Sequence, residues 1–310
     1  MAAPYFRTKA RKARVKGPGA RADEVTAAQH NDDCALRHHE FGAKVAAVVP
    51  SDLVRSLVLA AEAGASVLLH YFERLESLAV RAKGPGDLVS QADVSAQDAI
   101  LATLARADAS ARFQAEELES GQATSGARYI VDPLDGTLNF LRGIPHFSVS
   151  IGYADEGGVR AGVVLDPTRR ELFWAERGEG AFLGDRALKL GSGAALADSS
   201  LHCGLPHLRR PNRDRYVARL ARLMHQTAST RRLGSAALAL AYVAAGRADA
   251  FFEPGLGAWD LAAGLVLVRE AGGIVTDLDG GDAMLETGDV LAATRTLHPL
   301  LLANFTSEDA

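Results

Sequence analysis

Cysteine is almost absent from this chain: its 310 residues contain two, Cys34 and Cys203. Two thiols so far apart fit no metal spacing and no disulfide framework, which points to a reducing, cytoplasmic setting. His202 and His207 lie close to Cys203, but the cluster lacks zinc-motif spacing and His207 follows a proline, so a zinc site is not expected. Long apolar runs are missing too. No stretch reaches the roughly 20 residues that cross a bilayer, which argues against a membrane span. Net positive charge is also lacking: the formal charge is −4 and the pI about 6.1, leaving no global attraction for nucleic acid. The one local exception is the start of the chain, where Met1 to Ala22 carries seven Lys or Arg residues and no acid. That segment is short of serine and has no amphipathic stripe, unlike an organelle transit peptide. Its apolar surface is too small to offset the entropy of ordering it. Residues 1–50 therefore read as a disordered basic extension, with a nucleic-acid-binding arm as the competing reading.

What is present is ordinary globular material. Hydrophobic residues make up 48% and charged residues 23%, enough for one large domain or two closely joined halves. From Asp52 to Phe72, Leu53, Leu57, Ala61, Ala65, Leu68 and Phe72 form a helical stripe, and Val94 to Leu104 forms a second. At Phe147 the period changes to two. Gly157-Gly158 then turns the chain into Val159–Leu165, and Leu172–Ala175 adds another strand, an antiparallel meander. Later segments mix: helices at 213–226, 235–245 and 259–271, strands at 248–253, 274–277 and 290–293, and a closing helix from Leu297. The pattern is α/β in layers.

The chemistry concentrates at Tyr129-Ile-Val-Asp132-Pro-Leu-Asp135-Gly136-Thr137. An apolar strand runs into two carboxylates and a Gly-Thr step, a combination suited to holding hard divalent cations against a phosphate. Read alone, Asp135-Gly136 is equally a hairpin turn. Other acids also fall at the ends of elements: Asp93 after Lys83-Gly84-Pro85-Gly86 and a short strand, the pair Glu116-Glu117, and Asp260 at the start of an apolar helix. Singly, each has a plainer explanation, as a helix N-cap or a solvated loop. Together they are acids at element ends, where α/β proteins gather their ligands.

These segments resemble the inositol monophosphatase family of metal-dependent, lithium-sensitive phosphomonoesterases. Asp132-Pro-Leu-Asp-Gly-Thr137 matches one motif and Trp259-Asp260 with the following Ala-Ala-Gly matches another. Asp87-Leu-Val-Ser-Gln-Ala-Asp93, the Glu116-Glu117 pair, Arg232–Ala237, Gly246–Glu253 and Glu270–Gly273 match in order, so the likeness runs from about Ser51 to Phe305. The resemblance implies an αβαβα sandwich of the sugar-phosphatase type and a catalytic domain at 51–305. It implies that Glu116, Asp132, Asp135, Asp260 and the Leu134 carbonyl hold two or three Mg²⁺ ions. Asp93 and Thr137 would orient and deprotonate the attacking water. Gly136 and Thr137 would present backbone N–H groups to the phosphate, helped by Lys83. Gly234, Ser235, Ala236 and Glu253 would meet polyol hydroxyls. Asn139, where relatives acting on adenosine bisphosphates more often carry Glu, leans towards a polyol ester. Ala115 and Ala258 depart from the family's common Gly and Cys, with consequences for pocket shape alone.

The expected reaction is hydrolysis of inositol 1-phosphate, inhibited by lithium, in a cytoplasmic homodimer. Histidinol phosphate, fructose 1,6-bisphosphate and nucleotide 3′-phosphates are the alternative substrates. Binding to RNA or the transcription machinery is the alternative of another class.

Overall fold

The computed structural model describes residues 50–84, 87–118, 120–205 and 213–306. The basic extension, Cys34, His207 and the Pro85-Gly86 tip of the glycine-rich loop lie outside them, as does the Lys83 side chain. In chain order, α1 (Asp52–Phe72) is followed by the hairpin β1 (Val80–Gly84) and β2 (Asp87–Ser90), then α2 (Gln91–Ala107). Next come β3 (Phe113–Ala115), β4 (Arg128–Asp135) and the short α3 (Thr137–Leu141). The meander is β5 (Ser148–Asp155), β6 (Gly158–Asp166), β7 (Glu171–Glu176), β8 (Gly180–Leu183) and β9 (Arg186–Leu188). The rest is β10 (Ser200–Cys203), α4 (Arg213–Gln226), β11 (Ser229–Arg231), α5 (Ala236–Ala244), β12 (Ala250–Glu253), α6 (Ala258–Glu270), β13 (Ile274–Thr276), α7 (Met284–Thr287), β14 (Val290–Ala293) and α8 (Leu297–Thr306).

Strand parity builds the layers. The large sheet runs β3-β4-β5-β6-β7-β8-β9, antiparallel except for the β3–β4 pair. On one face Tyr129, Val131, Val149, Ile151 and Val163 pack under α1 and α2. On the other, Ile130, Val164, Phe173 and Ala175 pack under α5 and α6. Alternation with period two is what lets one strand feed two cores. The smaller sheet, β11-β10-β12-β14-β13, does the same: Phe251 and Ala292 face α5 and α6, while Leu201, Phe252 and Leu291 face α4 and α8. The order is therefore helices, sheet, helices, sheet, helices, the expected sandwich.

Helix composition follows layer position. In α6 every residue from Leu261 to Val268 is buried, as a helix between two sheets requires. In α4, Tyr216, Leu220 and Leu223 form a narrow buried stripe and the rest is Arg-rich, as an outer helix requires. By length and composition α1 could cross a membrane, a property not expected from its interrupted apolar pattern. Its Val54, Leu57, Ala61 and Leu68 instead lie in the core against the large sheet.

Two glycines fix where α6 sits. A Cβ at Gly162 would come within 2.6 Å of Ala263 Cα, and one at Gly152 within 2.6 Å of Ala262 Cβ. Without side chains there, the helix backbone settles directly on β5 and β6. That brings Asp260, in its first turn, over the end of β4.

Candidate active site

Asp132 and Asp135 are three residues apart, and in a regular strand that spacing would send them to opposite faces. The pairing with β5 shows how the chain avoids this. Asp132 pairs with Ser150 and Asp135 with Ser148, so β4 carries one extra residue between them. The bulge falls at Pro133-Leu134, and a bulge is one of the few places where a strand tolerates proline. It turns both carboxylates inward, and the Leu134 N–H donates to Asp132 Oδ1 at 2.9 Å.

The third acid arrives through β5. Ser150, opposite Asp132, donates its hydroxyl to the Trp259 carbonyl at 3.2 Å, which places Asp260 beside the bulge. Oxygen atoms of Asp132, Asp135 and Asp260 then lie within 4.8 Å of one another. Asp260 is no simple N-cap. It stands at the third position of α6 and accepts from the Gly257 N–H at 2.6 Å.

Glu116 lies outside that trio but next to it. Its N–H donates to the Val131 carbonyl at 3.1 Å, and its charge reaches both Asp132 and Asp260. The turn carrying it is held by two glutamines that sequence inspection passed over. Gln97 of α2 accepts from the Glu117 N–H at 2.9 Å, while Gln122 bonds both the N–H and the carbonyl of Ala115. A glutamine in a helix or loop has no distinguishing spacing, so nothing flagged either one.

The electrostatics are those of a site built for cations. Burial, then repulsion from neighbouring acids, pushes Asp132 and Asp260 well above the usual carboxylate range. A hydrogen bond joins the two carboxyls. Burial also raises Asp135, opposed by the donors it receives from Ser235, Ala237 and Ala236. Buried acids that would repel one another, offering oxygen and nothing else, fit a hard divalent cation.

Beside the trio stands a second pair. Thr137, the first residue of α3, directs Oγ1 at Asp93 Oδ1 (3.2 Å) and at the Leu134 carbonyl (3.1 Å). Asp93 was a candidate N-cap; Ser90 caps α2 instead. Asp93 sits three residues on and accepts from the Ser90 N–H at 2.8 Å and the Ser90 hydroxyl at 2.5 Å. Burial raises its pKa, and the bonds from Ser90 and Thr137 pull the other way. Gly136, which precedes α3, has φ +100°, and a Cβ there would meet the His146 and Gly234 carbonyls at 3.1 and 3.2 Å. Only glycine takes that conformation without strain.

The acids open onto a cavity of about 120 Å³. Asp135 and Asp260 form one end, and Gly234, Ser235, Ala236 and Glu253 line the remainder, so the residues expected to meet a polyol share one wall system with the acids. Other lining residues had been given no site role from sequence, among them His202, Gly204, Arg232 and Leu256. Gly204 is the most telling of these. A Cβ there would lie 1.6 Å from Glu253 Cδ, so the glycine vacates the space that the carboxylate occupies. The Tyr216 hydroxyl holds that backbone by donating to the Gly204 carbonyl at 2.8 Å. Cys203 is buried, its thiol pushed up to about 11 by burial and by Glu253, which suits packing and not metal binding.

One sequence expectation changes meaning. Asn139 donates through Nδ2 to the His146 and Leu233 carbonyls, each at 2.8 Å, stapling α3 to the loop before α5. Its amide is committed to the scaffold, so it offers no direct reading of the ester. The Lys83 side chain lies outside the described residues.

Comparison with known proteins agrees with this geometry. The model of the inositol monophosphatase family matches residues 51–310. The inositol-1-monophosphatase of Mesorhizobium japonicum is 47% identical over 253 residues, covering 81% of this chain and 95% of the relative. The Nus factor SuhB of Pseudomonas aeruginosa is 40% identical over 248 residues, 78% of this chain and 92% of the relative. Among solved structures, the extragenic suppressor protein suhB of Bartonella henselae superposes with a TM-score of 0.79 at 41% identity, covering 83% of this chain and all of that one. The Thermotoga maritima IMPase superposes with a TM-score of 0.74 at 30% identity, covering 82% and 97%. With its fold, its acidic cluster and these relatives in agreement, the chain belongs to the inositol monophosphatase family.

Proposed function

We propose that this protein hydrolyses inositol 1-phosphate in a Mg²⁺-dependent, lithium-sensitive reaction. The observation that carries the proposal is one continuous space lined both by Asp135 and Asp260 of the acidic trio and by Glu253. Asp132, Asp135, Asp260 and Glu116 would hold the ions, with the Leu134 carbonyl as a further ligand. Held there, divalent cations would supply neutralisation of the charge that develops on oxygen as a phosphate monoester is hydrolysed, a reaction that needs a very large rate enhancement.

The remaining work falls to the chain. Thr137 Oγ1 donates to Asp93 Oδ1, which leaves a hydroxyl lone pair to accept from water and orient it. Asp93, raised by burial, is the group that receives the proton. Gly136 lets the backbone approach the phosphate closely, and the N–H groups of Gly136 and Thr137 face its oxygens. Glu253 accepts from the hydroxyls of the alcohol part.

The test is phosphate release from a panel: inositol 1-phosphate, histidinol phosphate, fructose 1,6-bisphosphate and a nucleotide 3′-phosphate, each with Mg²⁺, with a chelator and with added lithium. Inositol 1-phosphate should lead by kcat/KM, and the chelator should abolish turnover. A different leader would reassign the substrate within the family. A second reading, regulatory binding to RNA or the transcription machinery, draws on relatives named Nus factor SuhB. Turnover of no panel member, together with tight RNA binding, would favour it.

A further inference from the structure

Asp135 receives more hydrogen bonds than a cation ligand can usually spare. Its Oδ2 accepts from the Ser235 hydroxyl in a short bond, from the Ala237 N–H at 2.8 Å and, more weakly, from the Ser148 hydroxyl at 3.4 Å. Its Oδ1 accepts from the Ala236 N–H at 3.1 Å, and the Leu238 N–H adds a further backbone bond to the carboxylate. A carboxylate oxygen has two lone pairs. Oδ2 is therefore filled, and Oδ1 is the less engaged of the two oxygens. The Ser235 hydroxyl is committed on its own side as well: its proton goes to Asp135, and it caps α5 by accepting from the Leu238 N–H at 3.3 Å. The first N–H groups of α5 are spent in the same way, Ala236 and Ala237 on Asp135 and Leu238 on Ser235. Ser235 and Ala236 are two of the residues that the family resemblance sets aside for polyol hydroxyls.

We propose that Ser235 is a positioning residue of the cation site: with the first turn of α5 it pins Asp135 Oδ2, so that Oδ1 alone faces the metal. This deepens the reading given above and rests on it for the identity of the cations. Polyol recognition then falls on Glu253, with Gly234 shaping the wall, and Ser235 acts on the metals. The favourable end of the α5 dipole serves an acid of the protein itself, a partnership that also offsets the cost of burying that acid.

The test is a calorimetric Mg²⁺ titration of the full chain without substrate, comparing wild type with Ser235→Ala, Ser235→Gly and Ser235→Thr. Glycine caps helices nearly as well as serine, so Ser235→Gly removes the hydroxyl while sparing α5 if the alanine variant fails to fold. Losing a hydrogen bond to a charged group should weaken the apparent Kd about tenfold in both. Threonine, which keeps the hydroxyl, should return it to within about twofold of wild type. Wild-type affinity in Ser235→Gly, or a threonine variant as weak as the glycine one, overturns the proposal. The two readings separate cleanly. An enzyme that releases phosphate from inositol 1-phosphate while Ser235→Gly binds Mg²⁺ normally refutes the positioning role alone. Weakened Mg²⁺ binding with no turnover of that ester refutes the substrate assignment alone.

Discussion

The two ends of the cavity are built in different ways. The acidic end comes from a short contiguous stretch, 132–137, plus Asp260; its acids Asp132 and Asp135 lie on β4 of the large sheet, while Thr137 opens α3 and Asp260 stands in the first turn of α6. The end proposed to meet the alcohol is assembled from ends of the smaller sheet and the turns around them: His202 and Gly204 around β10, Glu253 on β12, and Arg232 and Gly234 before α5. Phosphate chemistry is common to all monoesters, so its machinery can be compact and uniform. Discrimination between alcohols has to come from the second set, since a cluster that touches phosphate alone cannot tell esters apart.

Removing an acid tests the first end, and the largest effect is expected there. Asp135→Asn should fold and lose at least about a hundredfold in kcat, the scale of removing one element of a preorganised electrostatic site. Near-normal turnover at saturating Mg²⁺ would take Asp135 out of the ligand set. At the other end, Gly204→Ala must displace the Glu253 carboxylate, whose Cδ lies 1.6 Å from the new Cβ position. It should lower the preference for inositol 1-phosphate over p-nitrophenyl phosphate by about tenfold, the scale of an unpaired polar contact, while Mg²⁺ affinity stays level. A parallel fall in Mg²⁺ affinity would mean that the two ends are not separable.

A smaller effect probes how dry the alcohol end is. Burial, then the charges of Arg231 and His146, lowers His202 to about 4 from an ordinary value of 6.5. Between those values the unfolded chain binds more protons than the folded one. His202 therefore contributes stability that is present in full above pH 6.5 and is lost as the pH falls towards 4. Thermal melts between pH 7 and pH 4 should fall less steeply for His202→Val than for wild type, and parallel curves would show that the imidazole is hydrated. The smallest effect concerns residues 1–48. Their removal should leave turnover and Tm almost unchanged, and a Tm drop of more than a few degrees would mean that they pack on the catalytic body.

How legible each end was follows from its construction. Asp132, Asp135 and Asp260 announce themselves because a buried acid at the end of an apolar strand or the start of an apolar helix is costly and needs a reason. Helix α1 was readable to the residue from its apolar stripe, α4 was placed with the bounds it has, and α8 starts where expected, at Leu297. β8, β9, β10 and β11 were missed: each has three or four residues, over which a period barely registers, although β12, β13 and β14 are no longer and were read. Gly204 was invisible for a deeper cause. Its meaning lies in a carboxylate 49 positions away, and no local pattern encodes that meeting. Ser235 shows the opposite difficulty, since its motif was recognised but its bond to Asp135, 100 positions away, emerges from the fold alone.

The division of labour between the two ends is tested most directly by Glu253→Gln, assayed on inositol 1-phosphate and p-nitrophenyl phosphate side by side at saturating Mg²⁺. Weakening the acceptor should raise KM for the inositol ester and reduce its kcat/KM advantage by about tenfold, the cost of losing a hydrogen bond to a charged group. Turnover of the hydroxyl-poor ester should hardly move. Equal losses on both substrates would contradict the account, because Glu253 would then be acting through the cations or the fold.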